Sequence, residues 1–284
     1  MSSVVLSERA AAKVNLTLRV GAPRADGYHP LDSLVVFADW GDTVEVRPAP
    51  GILLTLSGEA SRSLPADGSN LVLQAARALQ SAAGLADGAM IRLDKQIPVE
   101  AGLGGGSADA AATLRALNRL WELDWPLDRL AELGLTLGAD VPACLYSRPL
   151  RMRGIGEWID ILPAFDPFDA VILNPGIAVP TGPIFKAFDA AEPAALAEAG
   201  PMGDNRLDWL REERNDLEAP AIARHPEIAA ALDWLRMRDG VELARMSGSG
   251  ASCFALCRDR ASAQAAAEAW DGFAVAVQLG GTSG

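Results

Sequence analysis

The sequence predicts an α+β protein of two domains, an N-terminal part rich in antiparallel sheet and a C-terminal part of split βαβ type. Three observations carry that expectation. The first 60 residues alternate apolar and polar positions between turn signals, the mark of strands with one buried face. From Ser69 the apolar spacing changes to the period of helices. The chain has 284 residues, long for one domain and comfortable for two.

Taken in order, the stretches 13–20, 31–48 and 51–58 read as strands, with Gly41-Asp42 and Pro50-Gly51 as the turns between and within them. Leu71, Ala75, Ala78 and Leu79 share one face of a helix that Gly84 closes. A strand over 89–97 leads into the glycine-rich stretch GLGGGS. There Ala110, Leu114, Leu117 and Trp121 fall at spacings of four, three and four, predicting a helix from near Ser107 to about Leu123. A further helix follows Pro126 over 127–138. The stretch LPAFDPFD breaks every period with two prolines and two aspartates, so it is the expected boundary between domains 1–163 and 164–284.

Beyond it come a strand over 170–176, a helix over 182–191 and an irregular acidic stretch to about Arg214. Helices over 216–225 and 227–238, strands over 242–246 and 252–257, a helix over 260–270 and a strand over 273–279 complete the chain. That order fits a split βαβ layer. Alanine-rich patches are helical, and no internal repeat is visible.

Composition narrows the function. A net charge of −12 opposes loose binding to nucleic acid or to an anionic membrane, so any phosphorylated ligand must meet local positive charge. No apolar run approaches the ~20 residues that cross a bilayer, and the start MSSVVLSERAAAK lacks the pattern of a secretion signal. The expectation is a cytoplasmic protein. Cys144, Cys253 and Cys257 form no CxxC pair and read as small core residues of a protein in a reducing compartment. His29 and His225, far apart and with no cysteine cluster, do not suggest a zinc site.

The stretch PVEAGLGGGSADAAATLRALNRLW holds the clearest chemical signal. Glycine admits positive φ and close approach of a ligand to backbone, at an entropic cost of about 0.5–1 kcal/mol each, so a cluster needs a reason. Exposed N–H groups ending at the positive end of a helix form an anion cradle, and Ser107 adds a hydroxyl able to reach an oxygen or a Mg²⁺ ion. A Walker A loop would end Gly-Lys-Ser/Thr, but Ser107 follows Gly106 directly. A dinucleotide fingerprint from Gly102 would need Gly or Ala at Ser107, and its acidic residue would have to close a second strand, which Asp124 does not.

The pattern Pro-x-x-x-Gly-Leu-Gly-small-small-Ser-Ala resembles instead the nucleotide loop of the galactokinase, homoserine, mevalonate and phosphomevalonate (GHMP) kinase superfamily. The stretches AAKVNLTLRV, RADGYHPLDSL, LGADVPACLY, NPGIAVPTGPIF and RMSGSGASCFALC stand in the order of that superfamily's other motifs. RADGYHPLDSL is the most specific. It resembles the branch that phosphorylates a diphosphocytidyl-methylerythritol in the non-mevalonate isoprenoid route, a likeness spanning most of the chain. Ala12 stands where that branch usually has proline, a departure that bears on local stiffness more than on chemistry.

The resemblance implies the two-domain GHMP kinase fold and ATP-dependent phosphorylation of the substrate's tertiary hydroxyl, with Mg²⁺. It implies a phosphate cradle of Pro98, Gly102, Leu103, Gly104, Gly105, Gly106 and Ser107, with Ser107 as the protein contact to Mg²⁺, and it places Asn70 and Lys95 along the nucleotide pocket. By their own sequence context, Asn70 equally suits a helix cap and Lys95 a solvated strand end. Asp140 and Lys13 are the implied catalytic pair, the aspartate as a base or an orienting group and the lysine as its cationic partner.

For the acceptor, the resemblance places Asn15 near the substrate hydroxyls and Tyr28 and His29 at the cytosine, with Phe185 opposite and Thr181 nearby. It puts Ser247, Gly248, Ser249 and Gly250 beside phosphates and substrate, although the same turn suits a tight connection between strands. Asp109, which would repel a phosphate if it faced inward, is expected to point away. His225 reads as structural, Trp158 as scaffold or border, and 192–214 as a flap or plain surface. No obligatory protein partner is inferred, and the partner expected is a small-molecule cytidine diphosphate.

Two other readings compete. A sister kinase with a different acceptor would give Tyr28, His29 and Phe185 no special role. A nucleotide-binding protein without catalysis would be expected to lack Lys13, Asp140 or the loop, and all are present.

Overall fold

The structure is a computed structural model and describes residues 4–163, 165–197, 200, 202–203 and 205–281. The chain forms two compact units. One contains the residues up to Lys13, Trp40–Val99 and Gly104–Ser147, and the other Val14–Asp39, Glu100–Leu103 and the chain from Arg148 on. Neither is one continuous stretch.

In the first unit, β1 (Leu6–Asn15) and β3 (Leu31–Ala49) pair, β5 (Gly88–Asp94) runs antiparallel to the second half of β3, and β4 (Leu53–Ser57) runs parallel to β5. The parallel β4 ladder corrects the antiparallel expectation. Gly41-Asp42 is also not a turn, because β3 continues through it. A Cβ at Gly41 would lie 2.2 Å from the Ala10 carbonyl oxygen, so the glycine permits close approach of β1. Its neighbour Asp42 is fully buried.

Helix α1 (Leu71–Ala83) ends as expected, with Gly84 in the left-handed region at φ 64°. It packs on α2 (Gly105–Leu120), whose buried face includes Ala110, Leu114 and Leu117. Helix α2 starts two residues earlier than predicted, because Gly105 and Gly106 bring its first turn close to Lys95, Ile97 and Leu71, and it ends three earlier, ahead of the left-handed Glu122 at φ 52°. Helices α3 (Leu127–Leu135) and α4 (Val141–Tyr146) pack together. The short α4, with proline in its first turn, has no sequence signal of the usual length.

The second unit holds the first half of β3, which pairs with β2 (Arg19–Val20) and with β6 (Leu150–Gly154) of the β6–β7 hairpin (β7, Trp158–Ile161). It also holds an antiparallel sheet of β8 (Phe168–Asn174), β9 (Val241–Met246), β10 (Cys253–Cys257) and β11 (Phe273–Leu279), in the order β11-β8-β10-β9. Its strands follow the split βαβ order. Helices α5 (Thr181–Asp189), α6 (Arg206–Glu212), α7 (Glu218–Arg224), α8 (Pro226–Arg236) and α9 (Arg260–Ala269) complete it.

Val171, Leu173, Ile228, Leu232, Cys253 and Ala255 sit in the core between the sheet and its helices. Helix α6 corrects the irregular reading of 192–214; Asn205 caps it by accepting from the Asp208 N–H at 3.3 Å. Residues 198, 199, 201 and 204 of that stretch lie outside the described residues. His225 lies at the junction of α7 and α8, as the sequence suggests. All three cysteines are buried and free.

Candidate phosphoryl-transfer site

The loop before α2 alternates between left-handed residues, Glu100 (φ 54°), Gly102 (φ 73°) and Gly104 (φ 63°), and residues of ordinary φ. Glycine at two of these three positions is the residue that adopts the left-handed region without strain. Three consecutive carbonyls are engaged within the second unit: Glu100 accepts from the Val179 N–H, Ala101 from the Ser252 N–H and Gly102 from the Ser247 hydroxyl. At the far end of the loop, Gly105, Gly106 and Ser107 form the first turn of α2, where N–H groups have no acceptor one turn back.

Each glycine also has a packing reason. A Cβ at Gly102 would lie 2.5 Å from the Ser247 carbonyl oxygen, at Gly104 3.0 Å from Lys13 Cε, at Gly105 2.9 Å from Lys95 Nζ, and at Gly106 3.3 Å from Leu71. Leu103 is buried and Pro98 half-buried. Ser107 is the third residue of α2 rather than the first. Its hydroxyl makes no hydrogen bond among the described residues, and it stands 4.0 Å from where a Cβ at Gly138 would be.

The first unit brings Lys13 and Asp140 together, with Nζ to Oδ1 at 2.8 Å. Lys13 comes from the buried end of β1, and its stem packs along Gly104. Asp140 stands at the start of α4 without capping it, so its second oxygen keeps its acceptor capacity. The unit therefore assembles the loop's helix start, an ammonium, a carboxylate and the Ser107 hydroxyl from β1, α2 and α4.

Asn70 caps α1, accepting from the Val72 N–H at 2.9 Å and donating to the Pro65 carbonyl at 2.8 Å. Lys95 is not a solvated strand end. It is buried, and its ammonium donates to Asp42 and, at 2.7 Å, to Asp109 Oδ2. Asp109 accordingly faces the interior behind the loop. Burial is the largest influence on it and, with the Asp42 charge adding, outweighs the Lys95 ammonium, so its carboxyl is pushed up to about 8. Burial opposes the Lys95 charge, but Asp109 and Asp42 more than offset it and raise the lysine.

In the second unit the Asn15 amide donates to Ser33 Oγ at 2.8 Å and its backbone N–H to Ser247 Oγ at 3.2 Å, while the buried Asn15 Oδ1 has no partner. Ser247 to Gly250 form the tight turn between β9 and β10, with Gly248 and Gly250 left-handed and Ser249 Oγ 2.9 Å from Thr181 Oγ1. His29 Nε2 lies 2.7 Å from Asp189 Oδ1, and its ring centre is 4.8 Å from that of Phe185 and 6.1 Å from that of Phe188. Tyr28, on the turn at Gly27, is exposed. Trp158 is exposed on β7. Sequence reasoning did not single out Asp42, Asp189 or Ser33; no local pattern marks them, because each acquires its partner only through the fold.

The sequence matches the family models described as GHMP kinases N terminal domain, over residues 70–148, and GHMP kinases C terminal, over 193–276. Fold and loop together thus define a GHMP kinase. The 4-diphosphocytidyl-2-C-methyl-D-erythritol kinase of Hyphomonas neptunium is 51% identical over 269 residues, covering 92% of this chain and 90% of its own. That of Paramagnetospirillum magneticum is 47% identical, with 92% of each covered. A crystal structure of 4-(cytidine 5'-diphospho)-2C-methyl-D-erythritol kinase superposes with a TM-score of 0.82 at 37% identity, covering 98% of this chain and 100% of that one. L. major mevalonate kinase, at 15% identity and a TM-score of 0.69 with 98% and 97% covered, shares the fold. The chain belongs to the 4-diphosphocytidyl-2-C-methyl-D-erythritol kinase family.

Proposed function

We infer that this protein transfers the γ-phosphoryl group of ATP to the tertiary 2-hydroxyl of 4-diphosphocytidyl-2-C-methyl-D-erythritol, a step of the non-mevalonate isoprenoid pathway. The observation that carries the chemistry is the Lys13–Asp140 contact beside the glycine-lined start of α2. In this reading Asp140 Oδ2 receives the hydroxyl proton as the alcohol oxygen bonds to the γ-phosphorus and the bond to the bridging oxygen of ADP breaks. Lys13 holds Asp140 in place through Oδ1 and offers a further N–H to the oxygen that becomes negative.

Pro98, Gly102 to Ser107, Asn70 and Lys95 serve the ATP side in this reading. Asn15, Tyr28, His29, Thr181, Phe185 and Ser247 to Gly250 serve the acceptor. The unpartnered Asn15 Oδ1 suits a substrate hydroxyl, and the His29–Phe185 cluster suits an aromatic base. Among the described residues no group of three acidic, histidine or cysteine side chains could hold a metal. A Mg²⁺ carried by phosphate oxygens and water, with Ser107 as its protein oxygen, fits that donor set. It would neutralise phosphate charge.

The ATP-binding domain is assigned to 1–163 and the second domain to 164–284, in a cytoplasmic protein; among the described residues no helix is long and apolar enough to cross a membrane. The test is ATP consumption with diphosphocytidyl-methylerythritol, homoserine and mevalonate as acceptors, with Asp140→Asn as control. Turnover of the first alone is expected; turnover of mevalonate alone would refute the assignment.

A further inference from the structure

We propose that Asp42, Lys95 and Asp109 are positioning residues of the nucleotide loop, a buried carboxyl–ammonium–carboxyl clamp that fixes the segments entering and leaving it. The inference rests on the kinase reading above and deepens it, because it assigns Lys95 a role behind the loop rather than against the ligand. On the entering side, Asp42 Oδ1 accepts from the backbone N–H groups of Gln96 at 2.5 Å and Ile97 at 2.8 Å, which ends β5 and turns the chain. Its other oxygen meets the Lys95 ammonium. On the leaving side, that ammonium donates to Asp109 Oδ2 at 2.7 Å, near the start of α2.

Gly105 lies against the clamp, since a Cβ there would be 2.9 Å from Lys95 Nζ and 3.1 Å from Ile97 Cγ2. All three residues are almost entirely buried. Stability alone does not call for such a group, because apolar residues of similar volume commonly hold a core as well or better than a buried ion network. What apolar residues cannot do is take two backbone N–H groups on one side of a loop and tie them through an ammonium to a helix on the other. The glycines leave the loop with high intrinsic freedom; the clamp restricts it at both ends.

Two variants test this, Asp42→Asn and the uncharged triple Asp42→Asn/Lys95→Met/Asp109→Asn, which leaves no buried charge unpaired. ATP affinity is measured by calorimetry without acceptor, so the result does not depend on which alcohol is phosphorylated. Failure of the wild type to use the cytidyl substrate would sink the functional reading but not this one. A loss of ATP affinity of about ten-fold or more is expected in both variants, with acceptor KM unchanged and amide exchange accelerated over 96–109 only. Unchanged ATP affinity in a folded triple variant would overturn the proposal. So would a triple variant that fails to fold, since the charges would then be a requirement of the fold and not of the loop.

Discussion

Lys13 Nζ and Asp140 Oδ1 stand 2.8 Å apart with unequal exposure, 4% for the lysine side chain and 36% for the aspartate. One partner is anchored in the protein and the other opens to solvent. A pair built only for stability would gain little from a carboxylate so exposed. A pair that must hand a proton to or from a bound alcohol needs that access.

Asp140→Asn keeps the shape but removes the basic oxygen that the proposed mechanism uses. A fall in kcat of about 10²–10⁴-fold is expected, with ATP affinity by calorimetry little changed. Lys13→Met should lower kcat in the same range. Wild-type turnover in either variant would remove the pair from the mechanism.

Gly104→Ala forces a side chain into a left-handed residue, a cost of roughly 1–2 kcal/mol, and crowds Lys13 Cε at 3.0 Å. Denaturant unfolding should register the loss, and ATP affinity should fall with it. Gly51→Ala, at an open position of ordinary φ, is the control and should stay within about 0.5 kcal/mol.

The His29–Asp189 contact orders an imidazole next to the Phe185 ring. Phe185→Ala should raise the acceptor KM about 2–10-fold, the loss of one aromatic contact, while ATP affinity holds. His29→Ala should abolish turnover of the cytidyl substrate. Steady-state kinetics with each substrate varied in turn separates these effects, and a rise confined to the ATP KM would contradict the assignment.

Burial pushes the Cys144 thiol up to about 12 and the Cys257 thiol up to about 11, and it raises Cys253 as well. A thiol whose folded pKa is raised adds stability fully present below its unfolded value near 8.5 and lost as pH climbs toward the folded one. Stability should therefore decline between about pH 9 and 12. At pH 8 a thiol reagent should label none of the three cysteines in the native protein and all three after denaturation. Fast labelling of native protein at pH 8 would show that the burial is wrong.

How much of this the sequence discloses depends on how locally each feature is specified. The α1 stop at Gly84, the α+β class and the split βαβ order follow from period and punctuation within short windows. Gly41-Asp42 misled because a glycine in a strand and a glycine in a turn look alike until the strand beside it is known. Helix α4 spans too few residues to show a period. The Asp42–Lys95–Asp109 group and the Asp189 partner of His29 are tertiary, and no spacing rule brings such residues together. Lys13 and Asp140 could be paired in advance only through family resemblance.

The carbonyls of Glu100, Ala101 and Gly102 are already tethered within the second unit, so in the proposed kinase reading this backbone is set before any nucleotide arrives. Under that proposal little chain order remains to be lost on capture by these three residues, and affinity drawn from them needs only modest contacts.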